Sequence, residues 1–494
     1  MPDDGNPVAT EVPAPDADPM FDPDIAPSGT LLGLLQRGRG DGTLHALAAP
    51  RAEALAALHH CVLRDPRRDW QVENRSLYYA RLHMELDGPL DEIEHHLFHP
   101  DDLLDPQEER TGLCLSVLGH LASYGRREAL LLLRRYAATG TNWAWALDEL
   151  ALRDDDTGLA GLGELILARF PRTPEGDTAL TAAVRDAFEP RPWRLWADGT
   201  LSPATAARVR AAGEQGSFDR WRRQMRPAGP GPGWSVREVL DWAQAGLDMH
   251  PTQHRHVPAT RCLTAVAGPE DRLEIIEAAT AGPEAARATA LRYLAEHHDP
   301  RALDLIESAV EDPSTLVSEA AVTAFERMRS TAALVRARAW LHRTDALGDA
   351  AAGMLACRGA EYDAGPVLGA LRRTVRTEGP DAGVLWDLVD GAGRLSINCA
   401  APVLRHVYRE TSSSHLRGRA ARALAATDPS FAAGFAVECL WDCEETTREL
   451  AARHAATADD RVVDQLRRLA ADPAEEAEVQ TAVRSRIGPD APAV

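Results

Sequence analysis

Two histidine clusters have the spacing that metal ligands use. Glu92, His95, His96 and His99 fall at three- and four-residue steps, so Glu92, His95 or His96, and His99 share one face of a helix, and Asp101 and Asp102 follow. His250, His254 and His256 lie in MHPTQHRHVP, between two prolines. Imidazole and carboxylate groups this close in sequence suit a divalent ion, with His95, His99, His250 and His254 as the candidate ligands. Neither cluster matches a family motif, and solvated surface histidines are the favoured reading of both. Cys439 and Cys443 are four apart on a predicted helix, where two small buried residues account for them better than a thiol pair.

A third constellation is built from arginine and tryptophan. Between Pro190 and Arg226 there are eight arginines and three acids, and five of the eleven tryptophans fall between Trp193 and Trp242. Guanidinium and indole groups together either grip a phosphate chain and stack on bases, or fasten helices by burying rings and pairing with acids. The candidate contact residues are Trp193, Trp196, Arg220, Trp221, Arg222 and Arg223. The chain carries 75 acids against 54 basic residues, a formal net charge of −21. Nucleic acid would meet a repulsive body, whereas an arginine-rich segment has carboxylates to pair with throughout the chain. The second use is therefore expected, with the rings anchored in a groove.

Composition excludes several chemistries. All 54 basic residues are arginine, so a Walker A lysine, a kinase strand lysine or a Schiff-base lysine cannot exist here. No GxSxG elbow, HExxH helix or Gly-rich dinucleotide loop after a strand occurs. Gly158, Gly161 and Gly163 stand in a helical context and are read as permitting close packing. The seven cysteines are scattered and include no CxxC pair, which fits reduced thiols in a cytoplasmic protein. No apolar run approaches the ~18 residues of a membrane span. No cofactor is called for.

The elements that must position these residues are helices. Asp299–Arg329 reads as two amphipathic helices: Asp299-Pro300 and Asp312-Pro313 are start signals, Leu303, Ile306 and Val310 share one face, and Val317, Ala321, Phe325 and Met328 share another. Similar starts near Pro269, Thr331, Asp363, Cys399, Asp428 and Asp459 give a spacing of about 30 to 36 residues. The expected architecture is all-α, an α-solenoid of helix pairs in two arrays. Residues 1–29 hold seven prolines and seven acids and no basic residue, and are expected to be a disordered acidic tail. Residues 30–170 form an irregular helical array, with helices such as Arg51–Leu63 and Arg127–Ala138. Residues 171–234 are a Pro/Gly/Arg/Trp-rich connector with short helices over Pro203–Ala212 and Phe218–Met225. Residues 235–488 form the second array and 489–494 a tail.

The second helices have the form V/L-x-x-x-A-A-x-A-L, as in Val317–Phe325 and Leu416–Leu424. In this the chain resembles the HEAT-repeat superfamily, particularly the short repeats of phycobilisome-lyase-like proteins, closely over 269–487 and loosely over 30–170. The resemblance implies an α-solenoid and, for most members, a scaffold that binds another macromolecule. Of its enzymatic branches, the deoxyhypusine hydroxylases need His-Glu dipeptides, and none occurs here. Nothing points to a pigment or phycobiliprotein partner. The alkylpurine DNA glycosylases use a basic aromatic groove, which the Arg/Trp segment matches only in residue types. The expected function is a non-catalytic scaffold for an unidentified protein partner. A nucleic-acid-binding or glycosylase-like protein comes second, and a metal-dependent enzyme using a histidine cluster third.

Overall fold

A computed structural model describes residues 25–66, 75–105, 107–225, 233–250 and 254–487. The acidic tail expected at 1–29 therefore lies almost entirely outside the described residues, as does the terminal tail. Among the described residues there are 29 α-helices and no strand, with each helix packed on its neighbours in sequence. The chain is an all-α solenoid of helix pairs. In the N-terminal region Arg51–Leu63, Arg127–Thr139 and Trp143–Arg153 lie where hydrophobic periodicity places them. The connector differs. Pro203–Met225 is one continuous helix of 23 residues, not two short ones. Two internal glycines cost about 1 kcal/mol each, which the buried face of Ala206, Val209 and Ala212 offsets.

Two compact units are present. The first contains the described residues up to Ala212, together with Glu438–Glu449 and those from Asp464 onward; the second contains Gly213–Val437 and Leu450–Val463. In the first unit the late segments are seated through charge and close backbone approach. Arg39 holds Glu438 through Nε at 3.0 Å and Nη2 at 2.7 Å, and the Cys443 N–H donates to the Gly38 carbonyl at 2.9 Å. Gly38 has φ +66°, and a Cβ there would strike the Cys443 sulfur, so this turn requires glycine. The buried Arg448 guanidinium spans both oxygens of Glu475 at 2.9 and 2.7 Å.

In the second unit, first helices such as Ala302–Ala309 alternate with second helices: Glu284–Glu296, Thr315–Arg327, Ala346–Arg358, Leu385–Arg394 and Ser414–Thr427. Successive second helices stack directly on one another. Their alanines make this possible: Ala351, Ala352, Ala356, Ala420 and Ala421 are almost wholly buried, and Gly391 lies so close to Ala356 that no Cβ fits. Val317, Ala321, Phe325 and Met328 are buried as their spacing predicts.

The Asp-Pro signals work differently from helix caps. Asp299 precedes a helix that begins at Ala302; its carboxylate accepts the Arg301 N–H at 2.8 Å, and the Asp312 carboxylate accepts the Ser314 N–H at 3.0 Å. Asp428, Asp459 and Asp472 do the same for the residue two positions on. These are turns closed by a side chain one step ahead of the helix. Asp299 and Asp428 also receive an arginine from the preceding repeat, as does Asp363, whose carboxylate accepts the Ala360 N–H at 2.8 Å. Arg272 grips Asp299 at 2.6 and 2.9 Å, Arg338 grips Asp363 at 2.9 and 3.0 Å, and Arg405 reaches Asp428 at 2.6 Å. All three carboxyls sit below the usual carboxylate range. For Asp363 the Arg338 hydrogen bonds are the main cause. For Asp299 and Asp428 burial works upward and is outweighed by the bonds from Arg272, and from Ser430 and Arg405.

This ladder gives a testable expectation. Arg338→Gln strips the fork from the buried Asp363 carboxylate and should cost about 1–3 kcal/mol in chemical denaturation at pH 7. The folded carboxyl binds its proton more weakly than the unfolded one. Its stabilisation is therefore complete above the ordinary value of about 3.9 and is lost as pH falls through the depressed folded value. The gap between wild type and variant should close as the medium is acidified below that range, and a gap independent of pH would exclude the ion pair as its source.

Candidate functional site

The first histidine cluster lines one cleft without forming a ligand set among the described residues. Glu92, His95 and His96 stand on the helix Asp91–Leu97, and His99 precedes the turn Pro100–Leu103. His96 turns inward: its Nδ1 lies 3.2 Å from Asp102 and its Nε2 2.6 Å from the Arg110 carbonyl, so both ring nitrogens are engaged. The Glu92 carboxylate faces His59 Nδ1 at 2.9 Å. His95 and His99 meet edge to face at 5.9 Å, and His99 Nδ1 accepts the Asp101 N–H at 3.4 Å. An open cleft of about 510 Å³ lies beside them. In the second cluster, His250 is exposed, residues 251–253 lie outside the described residues, and the rings of His254 and His256 are 6.0 Å apart. Among the described residues no group of three or more His, Cys, Asp or Glu side chains is arranged to hold a metal ion.

Trp193 and Trp196 of the connector are core residues of the first unit. Trp193 and Trp196 are 4% and 0% exposed and meet edge to face at 5.1 Å; Trp193 meets Trp143 at 6.3 Å, and Trp143 meets Phe170 at 5.8 Å. The Trp196 indole N–H donates to the Leu159 carbonyl at 2.9 Å. A Cβ on Gly163 would meet this indole nitrogen at 3.0 Å, so that glycine does permit close packing, whereas Gly161 has open space beside it. Arg220 is exposed on the helix Pro203–Met225. The side chains of Trp221, Arg222 and Arg223 lie outside the described residues. Burial removes the rings of Trp193 and Trp196 from any surface in this structure.

The arrangement with most exposed chemistry was not singled out in the sequence. It lies on the stacked second helices of the second unit. Trp386, half-buried on Leu385–Arg394, has the Arg419 guanidinium 4.8 Å over its ring and the His415 ring 6.4 Å away. Arg419 also pairs with Asp390. Asp387 is exposed on the same helix and electrostatically coupled to Glu326 and Cys357, which stand on the two preceding second helices. Burial, followed by the Asp387 charge, lifts the Glu326 carboxyl above its ordinary value. Burial likewise lifts Asp390, against the pull of Arg419 and Arg422. The Cys357 thiol is pushed up to about 11 by burial and then by Asp387, so it is protonated at neutral pH and a poor nucleophile. This surface is therefore suited to recognition by charge and aromatic contact, with no activated nucleophile at Cys357. The signal in the sequence was the run of acids on the outward positions of alanine-rich helices, which reads equally as an ordinary solvated face.

No protein-family model matches the chain, and no curated protein matches it in sequence. Among the described residues no helix is long and apolar enough to cross a membrane.

The buried tryptophan pair supplies the next expectation. Trp196→Ala removes a fully buried ring and leaves the Leu159 carbonyl without its donor. It should destabilise the first unit by about 3–5 kcal/mol, read as a lower midpoint in thermal or denaturant unfolding. An unchanged midpoint would mean that the ring is not a core residue in solution.

Proposed function

We propose that the chain is a HEAT-like helical-repeat scaffold, cytoplasmic and without catalytic activity, that binds a protein partner along the second-helix face of its second unit. The observation carrying this reading is the Trp386 ring, packed against Arg419 and His415 beside Glu326, Asp387 and Asp390. A large ring already restrained by its neighbours loses little freedom on binding, and such rings are over-represented among the residues that dominate interface energetics. The Glu326 and Asp390 carboxyls near it are partly desolvated and incompletely neutralised. A basic segment of the partner would supply the missing counter-charge and draw their proton affinity back down. Stacked repeats offer this kind of surface without requiring a reactive centre. The seven cysteines, none of them in a disulfide, agree with a reducing compartment.

The test is recovery of the partner from the native host with wild-type protein, then measurement of its affinity for Trp386→Ala and Asp387→Arg. Both positions have accessible surface, so helical circular dichroism should be retained. Each change should weaken binding about tenfold or more. Undiminished binding by both variants would move the interface elsewhere. Salt-sensitive binding of DNA or RNA by the purified protein, abolished by arginine substitutions, would replace this reading with a nucleic-acid-binding one.

A further inference from the structure

A basic pocket lies at the start of the same helix stack, in a chain that is otherwise acidic. Its walls come from His256–Val266, Glu284–Glu296 and Thr315–Arg327, and it encloses about 400 Å³. His254, His256, Arg292 and Arg327 line it, with Glu319 as a carboxylate among them. Arg292 has a side chain only 11% exposed; its Nε donates to Glu296 at 2.9 Å, and its terminal nitrogens make no hydrogen bond to the described residues. His256 Nδ1 is buried without a hydrogen-bond partner among the described residues. Arg327 is exposed, and its charge acts on the neighbouring Glu326 carboxyl. These are donors gathered at one cavity and left incompletely used by the protein itself.

The backbone adds to the same bias. His256–Val266 and Thr315–Arg327 are helices of 11 and 13 residues, and neither has a side chain capping its N-terminus. Their first-turn residues His256, Val257, Thr315 and Leu316 form part of the lining, so the positive ends of two helix dipoles lie at the pocket.

We infer that this pocket binds a phosphate group, either free inorganic phosphate or the phosphate of a small phosphorylated molecule. Arg292, His254 and His256 stand together at the start of His256–Val266, with Arg327 farther along the same cavity, and this set of donors suits the several oxygens of a phosphate group better than a planar carboxylate. The cavity falls within the ~300–1,000 Å³ range of small-molecule sites, so the group can arrive as an ester as well as a free ion. The ligand class is distinct from the basic partner of the Trp386 face, and neither reading requires the other.

The experiment is isothermal titration calorimetry of the full-length protein at low ionic strength, with sodium phosphate and with glycerol 3-phosphate. One site is expected, weakening as salt is added. Arg327→Gln and His254→Gln alter exposed side chains and should leave the circular dichroism and the melt unchanged, while each weakens binding by about threefold to tenfold. Glu319→Gln removes the opposing charge and should tighten binding. Equal affinities for the two probes would identify free phosphate as the ligand, a tighter ester would identify a phosphorylated small molecule, and both results uphold the site. Absence of binding heat with both probes, or affinities unmoved in the Arg327→Gln/His254→Gln double variant, would overturn it.

Discussion

The stack of repeats depends on a recurring contact between arginine and a turn aspartate. In each case the carboxylate closes the turn that opens a new repeat and receives a guanidinium from the repeat before it. One side chain therefore fixes both where a helix starts and how far it stands from its predecessor. The geometry explains why arginine suits the role. Its planar fork spans both oxygens of Asp299 and of Asp363, and it does so from side chains that are 45% and 32% exposed, while the carboxylates are 9% and 3% exposed. An ammonium group would offer a point charge and no fork. The chain has no lysine, and the fold makes structural use of the arginine that stands in its place.

Local features of the fold were legible because the physics behind them is local. The apolar face Val317, Ala321, Phe325 and Met328 follows from the helical period and is buried as a face. The Asp-Pro dipeptides marked repeat starts within a few residues, although the aspartate acts in the turn before the helix and not as its cap. The second half of its role, accepting Arg272 or Arg405, joins residues 27 and 23 positions apart. That is less than one repeat, because the arginine stands inside the first helix of one repeat and the aspartate at the start of the next, and it becomes visible only when the period is read as a packing distance. Pro203–Met225 runs through Gly213 and Gly216 as one helix, since a glycine's cost to a helix is smaller than the burial of the apolar face beside it.

Contacts of high sequence separation were not legible. Arg39 and Glu438 are 399 residues apart, and nothing in either neighbourhood names the other. Gly38 carried a faint signal, as a glycine in RGRGDG whose φ of +66° and close approach to Cys443 exclude a side chain. The histidine clusters show the limit of spacing from the other side. Their spacing is correct for ligands, but spacing fixes only which helical face a residue occupies. Rotamer choice decided the outcome, turning His96 toward Asp102 and Arg110 and leaving His95 outward.

Tryptophan position separates structural from recognitional use more sharply than tryptophan number. Trp193 and Trp196 lie in a segment of local charge +5, which invites a binding interpretation, yet burial and the Leu159 hydrogen bond satisfy both their apolar surface and the Trp196 donor. A ring satisfied in this way has nothing left to offer a partner. Trp386 lies in an unremarkable stretch, WDLVDG, and keeps part of its ring exposed with Arg419 across its face. The arginine there is divided between the ring and Asp390, and Asp390 still stands above its ordinary proton affinity. Incomplete satisfaction of this kind stabilises the folded chain little, and it is the physical condition under which an incoming cation gains most.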